Sequence, residues 1–428
     1  VAIASFVGTT IEWYDFFLYG TASALVFGKL FFPNYDSLTG TLAAFGTYAV
    51  GFAARPIGGI VCGHFGDRIG RKSMLVLTLL IMGIATFLIG LLPTYNQIGI
   101  WAPILLVLLR LAQGFAVGGE WGGAVLMAVE HSPKGKRGYY GSWPQIGVPA
   151  GLLLSTLIFG LISKLPEADM LSWGWRIAFL LSIVLVVVGL FIRMTVVEPP
   201  VFTEIKQKRA EARSPMLEMI RHHPRNLLLA MGARVADNGV FYVYTVFSLT
   251  YATQPGIGFS RSSVLNAVSI AAVFQLFALP TFGWLSDRLG RRPVYLFGAI
   301  FTALFAFPFF WLIETSNPGL LVMAIVIALV VGHAAMYGPQ ASFFSELFGT
   351  RVRYTGASLG YQLSSVLAGG LSPLIATDLL RRTGRSWPIA LYIIGMALVT
   401  AISVFLAGET VHRDITAEAY DDRLAKQG

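Results

Sequence analysis

The sequence predicts an all-α integral membrane protein with twelve transmembrane helices in two six-helix, pseudo-symmetric halves. Three observations lead there. The 428 residues are 55% hydrophobic and only 12% charged, against roughly 25% charge in soluble domains. Mean hydropathy is +0.69, and the apolar residues fall in blocks long enough to cross a hydrocarbon core, which takes about 20 residues. One loop motif also occurs twice, 220 residues apart. This composition excludes a disordered chain, a secreted disulfide scaffold and an ordinary cytosolic enzyme.

The blocks lie at about 3–28, 38–63, 73–93, 102–127, 138–163, 174–194, 224–251, 262–285, 293–314, 319–347, 354–380 and 387–407. A single long polar interval divides them six and six. The expected organisation is a bundle over 1–194, a connector over 195–223, a second bundle over 224–408 and a tail over 409–428.

Lys and Arg set the orientation. The connector carries Lys206, Lys208, Arg209, Arg213 and Arg221, and loops on the same side carry Arg68, Arg71, Lys72, Lys134, Lys136, Arg137, Arg288, Arg291, Arg292, Arg351 and Arg353. Fewer lie opposite: Lys29, Lys164, Arg176, Arg261, Arg381, Arg382 and Arg385. The positive-inside rule therefore puts the connector and both termini in the cytoplasm of a cell-membrane protein. The net charge of +9 reads as topology, not as nucleic-acid binding. Cys62 is the single cysteine, so no intrachain disulfide is possible. No basic n-region or A-x-A site precedes the first block, so no cleavable signal peptide is expected there.

The repeated motif has the form G-x-x-x-D-R-x-G-R-[KR]. Its first copy holds Gly63, Asp67, Arg68, Gly70 and Arg71, and its second Gly283, Asp287, Arg288, Gly290 and Arg291. Glycines permit a tight turn and close helix approach. The aspartate can accept hydrogen bonds from a neighbouring helix N-terminus. A loop needed only for topology requires no such spacing twice, so a gating role is expected. Duplicated halves are common in carriers, whose sites lie between the repeats.

Further strings accompany the motif: Glu12-Trp13-Tyr14-Asp15-Phe16, Arg55-Pro56-Ile57-Gly58-Gly59, Arg110-Leu111-Ala112-Gln113-Gly114, Gly118-Gly119-Glu120-Trp121-Gly122-Gly123, Ser172-Trp173-Gly174-Trp175-Arg176, and Glu346-Leu347-Phe348-Gly349-Thr350-Arg351-Val352-Arg353. With the six-plus-six layout, they resemble the major facilitator superfamily, and within it the metabolite:proton symporters, nearest the shikimate and α-ketoglutarate permease branch. The resemblance spans essentially the whole chain. It implies a major facilitator fold and proton-coupled uptake of a small metabolite, with Glu346 and Arg353 in the gating set.

An ionisable residue at mid-membrane costs roughly 2.5–3.5 kcal/mol on insertion scales and calls for a partner or a function. Glu12 and Asp15 share a helix face at i, i+3. Two close carboxyls suit proton coupling, unless each pairs with an Arg on another helix. Arg110, with Gln113 one turn on, suits a substrate carboxylate or one of those first-helix acids. Glu120 reads as coupling, or as a structural partner of Arg55. Arg234 and Asp237 repeat the i, i+3 pattern near the same depth in the second half. They suit an anionic substrate if free, or form an intrahelical pair. The offset of 220 also matches Arg55 with Gln275 and Glu120 with Gln340. His333 is a secondary candidate for coupling, or a neutral interhelical hydrogen bond. Tyr14, Trp121, Trp143, Gln145, Tyr242, Tyr337, Tyr361 and Gln340 are candidate pocket residues, Pro144 freeing a backbone carbonyl beside Gln145.

No phosphate loop appears, so ATP does not drive the process, and no ligand cluster calls for a metal or cofactor. Gly147-Val148-Pro149 lacks the adjacent Gly-Pro of an antiporter helix. The expected function is proton-coupled import of a small organic anion by a monomer in the bilayer. The alternative is a zwitterionic osmolyte carrier. Arg234 and a tail without heptads count against it. No nucleophile–base constellation supports an enzyme.

Overall fold

The computed structural model describes residues 2–69, 71–130, 132–195, 221, 223–348 and 353–413, and for some of these, including 63–69, 71–75 and 353–355, the backbone alone. Among the described residues, twelve long helical runs make up the fold. In the first half they are α1 (Ala2–Ala22, Ser23–Phe27, Gly28–Phe31), α2 (Ser37–Ala53, Arg55–Ile69), α3 (Arg71–Leu91), α4 (Trp101–Gly118, Trp121–Glu130), α5 (Arg137–Ile162) and α6 (Glu167–Asp169, Met170–Gly174, Trp175–Leu180, Ser182–Thr195). In the second they are α7 (Pro224–Tyr242, Val243–Phe247, Ser248–Ala252), α8 (Arg261–Leu289), α9 (Arg291–Glu314), α10 (Pro318–Ile327, Ala328–His333, Ala334–Leu347), α11 (Arg353–Ser364, Ser365–Gly370, Ser372–Thr383) and α12 (Trp387–Ala407).

Eight of these, among the described residues, are individually long and apolar enough to cross a membrane. The fourth block, expected to be continuous, breaks after Gly118 and resumes at Trp121. Wide π turns interrupt α1 at Ser23–Phe27 and α7 at Val243–Phe247, positions separated by the same 220 residues as the loop motif. The repeat therefore extends to helix irregularities.

Local chemistry sets the helix ends. The Asp36 side chain caps α2 by accepting from the Leu38 and Thr39 N–H groups. The Thr39 hydroxyl, and then these backbone bonds, hold its carboxyl below the ordinary aspartate range. Asn317 caps α10 in the same way. Gly290, at φ 102°, makes the turn between α8 and α9, where a side chain would be strained. Large apolar side chains such as Phe191, Phe277 and Leu304 point outward, as a hydrocarbon solvent favours.

Between the halves, α5 lies along α8 and α2 along α11. Within the first half α2 and α4 meet backbone to backbone. Gly114 faces the Gly51 carbonyl, Gly118 the Arg55 carbonyl and Gly58 the Phe115 carbonyl, each too close for a Cβ. This glycine seam fixes the spacing of the side chains that α2 and α4 direct inward.

Candidate functional site

Buried charge occurs in both halves. In the first half Arg110 is fully buried. Its guanidinium lies over the rings of Phe16 at 4.0 Å, Tyr19 at 4.4 Å and Tyr48 at 4.6 Å. Its Nη1 donates to Gln113 Oε1 at 3.1 Å, and Gln113 Nε2 donates to the Thr86 hydroxyl at 2.8 Å. Nε and Nη2 have no hydrogen-bond partner. The expected alternative, a salt bridge from Arg110 to a first-helix carboxylate, does not form.

Asp15 is also fully buried, and neither carboxyl oxygen has a hydrogen-bond partner. Thr86 lies beside it, but that hydroxyl gives its one proton to the Met82 carbonyl at 2.9 Å. Asp15, Thr86, Gln113 and Arg110 thus form one polar row through α1, α3 and α4. Thr86 was not singled out from sequence because a lone Thr in an apolar span carries no distinguishing pattern.

Arg55 is the other residue that sequence reasoning undervalued. It is fully buried, and Nε, Nη1 and Nη2 all lack partners. The suggested Arg55–Glu120 ion pair is therefore absent. Arg55 instead lies over Phe16 at 4.1 Å, Phe52 at 4.3 Å and Trp13 at 5.4 Å. Tyr242 of α7 packs on Phe16, Tyr48 and Phe52, so the second half closes over this cationic region.

The second half treats its charge differently. Arg234 donates to Asp237 at 3.1 Å and to Gln340 Oε1, and its guanidinium covers the Tyr361 ring at 3.2 Å. Gln340 Nε2 donates to Asp237 at 2.8 Å and to the Tyr295 hydroxyl at 2.8 Å. The intrahelical Arg234–Asp237 pair thus forms and is completed by Gln340 and Tyr295. Of its guanidinium nitrogens only Nε is left without a partner. His333 Nδ1 lies 2.6 Å from Gln275 Nε2, which also donates to the Leu329 carbonyl at 3.3 Å. That arrangement makes His333 an acceptor in an interhelical hydrogen bond.

A narrow cleft of about 20 Å³ lies between the halves, its walls including Glu12, Glu120, Trp121, Gln145, Tyr337 and Gln362. Gln145 Nε2 donates across the interface to the Tyr337 carbonyl at 2.8 Å, and Gln362 Nε2 to the Gly118 carbonyl at 3.2 Å. Both amide oxygens are left without partners. Two pocket expectations fail. Trp143 is 44% exposed on the outer surface, since it sits two residues from the inward-facing Gln145. Tyr14 turns toward α6 and donates to the Ala178 carbonyl at 2.6 Å.

On the connector face, Asp287 Oδ1 accepts from the Gly138 N–H at 2.8 Å and Oδ2 from the Tyr139 N–H at 2.9 Å. Gly283 lies against the Gly138 carbonyl, leaving no room for a side chain. Arg291 reaches Asp287 at 2.8 Å and grips Glu346 through Nε at 3.2 Å and Nη2 at 3.1 Å. Arg137 of the first half lies 3.9 Å from Glu346. Arg288 is exposed and lies over Trp284, whereas Arg291 is buried. Gly63, Asp67, Arg68, Gly70, Arg71 and Arg353 lie outside the residues whose side chains are described.

On the opposite face a vestibule of about 740 Å³ opens between the halves. Glu167 there receives both Lys29 of its own half and Arg261 of the other, the latter at 3.1 Å.

Duplicated six-helix halves, a buried polar centre and closure at one face define a membrane carrier. The Major Facilitator Superfamily model matches residues 5–373, and the chain belongs to that family of transporters. It is 44% identical to the shikimate transporter of Escherichia coli (strain K12), over 95% of this chain and 93% of that one. It is 35% identical to the proline/betaine transporter of the same strain, over 99% and 87%. The crystal structure of a D-xylose-proton symporter superposes with a TM-score of 0.73 at 18% identity, covering 96% and 97%.

Proposed function

We propose that this transporter is a proton-coupled symporter that imports a small organic anion by alternating access. One observation carries the reading: Arg110 is buried with two unpartnered nitrogens, in the same polar row as the donor-less carboxyl of Asp15. A buried, unpaired cation is costly, and a substrate carboxylate would satisfy it in bidentate fashion. An ionised Asp15 without donors would likewise be costly, whereas a protonated one would not. Substrate and proton loaded together therefore give the least costly centre for passage between states. The 44% identity with a shikimate transporter supports a carboxylate cargo.

The connector face is taken as cytoplasmic in a cell inner membrane, with both termini there, from the Lys and Arg distribution. The Asp287 contacts then close the inner face, and the vestibule faces outward. Glu12 and Glu120 line the cleft on the inward path and would relay the proton onward.

A second reading, a zwitterionic osmolyte carrier, is strengthened by the structure. Arg234 no longer argues against it, because Asp237 and Gln340 already occupy that guanidinium. The cleft also combines Trp13, Trp121, Tyr337 and Tyr361 with two carboxyls, a combination suited to an ammonium group. Uptake of labelled shikimate, α-ketoglutarate, citrate and betaine into proteoliposomes under an imposed pH gradient separates the two. Anion uptake that requires external acid and collapses with a protonophore supports the first. Uptake of betaine alone overturns it.

A further inference from the structure

Arg55 has the strongest unmet demand for a ligand among the described residues. Its guanidinium is fully buried, yet none of its three nitrogens has a hydrogen-bond partner. The rings of Phe16, Phe52 and Trp13 offer cation–π contact. Such contact stabilises the charge through the ring faces. It does not supply the in-plane acceptors that five N–H donors require. Buried polar groups without partners are rare and need a cause.

Position supplies the cause. Arg55 on α2 and Arg110 on α4 lie over the same ring, Phe16, at 4.1 and 4.0 Å. The glycine seam holds the two helices in fixed register, with Gly118 against the Arg55 carbonyl and Gly51 against the Arg110 side chain. Two cations placed so near one another repel unless an anion comes between them. Arg234, by contrast, has its own carboxylate and amide and lacks a partner only at Nε. Tyr242 and the α11 glycines Gly369 and Gly370 cover the aromatic wall from the second half. Separation of the halves would uncover it.

We infer that Arg55 and Arg110 together form the carboxylate-binding site, with Arg55 contacting the transported molecule directly. This rests on the reading of the protein as a carrier of a carboxylate-bearing metabolite, and it holds for an anion or for the carboxylate end of a zwitterion.

The test uses the full-length protein in detergent and in proteoliposomes, with Arg55→Met, of similar length and no charge, and Arg55→Lys, which keeps the charge but not the fork. Whichever of shikimate, α-ketoglutarate, citrate or betaine the wild type transports is the probe. The expected result for Arg55→Met is a KM raised roughly ten- to hundredfold, with loss of the probe-induced rise in melting temperature and little change in the ligand-free value. Arg55→Lys should recover part of the affinity. A lowered ligand-free melting temperature with unchanged KM in either variant would make Arg55 a packing residue and overturn the inference. Should Arg55→Met fail to fold, Arg55→Lys decides: an unchanged KM overturns the inference and a raised one supports it. Failure of the anion reading shows separately, as a wild type that transports betaine alone.

Discussion

Asp287 of the second half holds the main-chain N–H of Gly138 in the first at 2.8 Å, and the same carboxylate holds Tyr139. It accepts the N–H groups at the start of α5 that have no partner within the helix, where the helix dipole favours an anion, and Arg291 at 2.8 Å fixes it there. Halves that move apart on this face must break these bonds.

Asp287→Asn should therefore loosen the connector face. Asparagine has one acceptor oxygen where aspartate has two, and no charge. Hydrogen bonds to charged groups contribute about 1.5–3 kcal/mol each. Hydrogen exchange at the Gly138 and Tyr139 amides should quicken by an order of magnitude or more. Unchanged protection would show that other contacts hold the face shut.

Asp15→Asn should uncouple transport from the proton. The amide resembles the protonated carboxyl in shape and cannot release a proton. Uphill accumulation under a pH gradient should vanish, while exchange of labelled for unlabelled substrate persists. Retained gradient-driven accumulation would move coupling to Glu12 or Glu120.

Gly114→Ala should damage the α2–α4 seam. The added methyl meets the Gly51 carbonyl, and overpacking of this kind costs about 1–3 kcal/mol. The melting temperature should fall and KM should rise, because Arg110 shifts with α4. Gly395→Ala is the control, since nothing lies within 4 Å of that position, and it should be neutral or slightly stabilising. Equal melting temperatures for the two would refute the seam.

Glu409 predicts a pH dependence just after α12. Burial works against its ionisation, but the N–H groups of Val411, Arg291, Arg292 and Thr410 together hold the carboxyl below the ordinary glutamate range. A depressed folded value means the stabilisation is fully present above the unfolded pKa and is lost as pH falls through the folded one. Protection of residues 409–413 should stay constant from neutral pH down to the ordinary carboxylate range and disappear below it. Glu409→Gln should give weaker protection that does not change with pH.

Much of the site was legible because it is local. Arg234 and Asp237 stand three residues apart on one helix, so their contact follows from helical spacing. The same geometry separates Trp143 from Gln145, two residues apart and on opposite faces. The sequence marks both as polar or aromatic but does not say which one faces lipid.

The sequence by itself determined the number of spans and the duplication. These depend on hydrophobic run length and on spacing along one chain. Only the tertiary structure decided which charges are paired. Arg234 receives Gln340 from α10, whereas Arg110 and Arg55 receive rings from α1 and α2 and no carboxylate. That outcome depends on how each helix is rotated about its axis and how closely the glycine seam draws α2 to α4, and both are set by packing between segments distant in sequence.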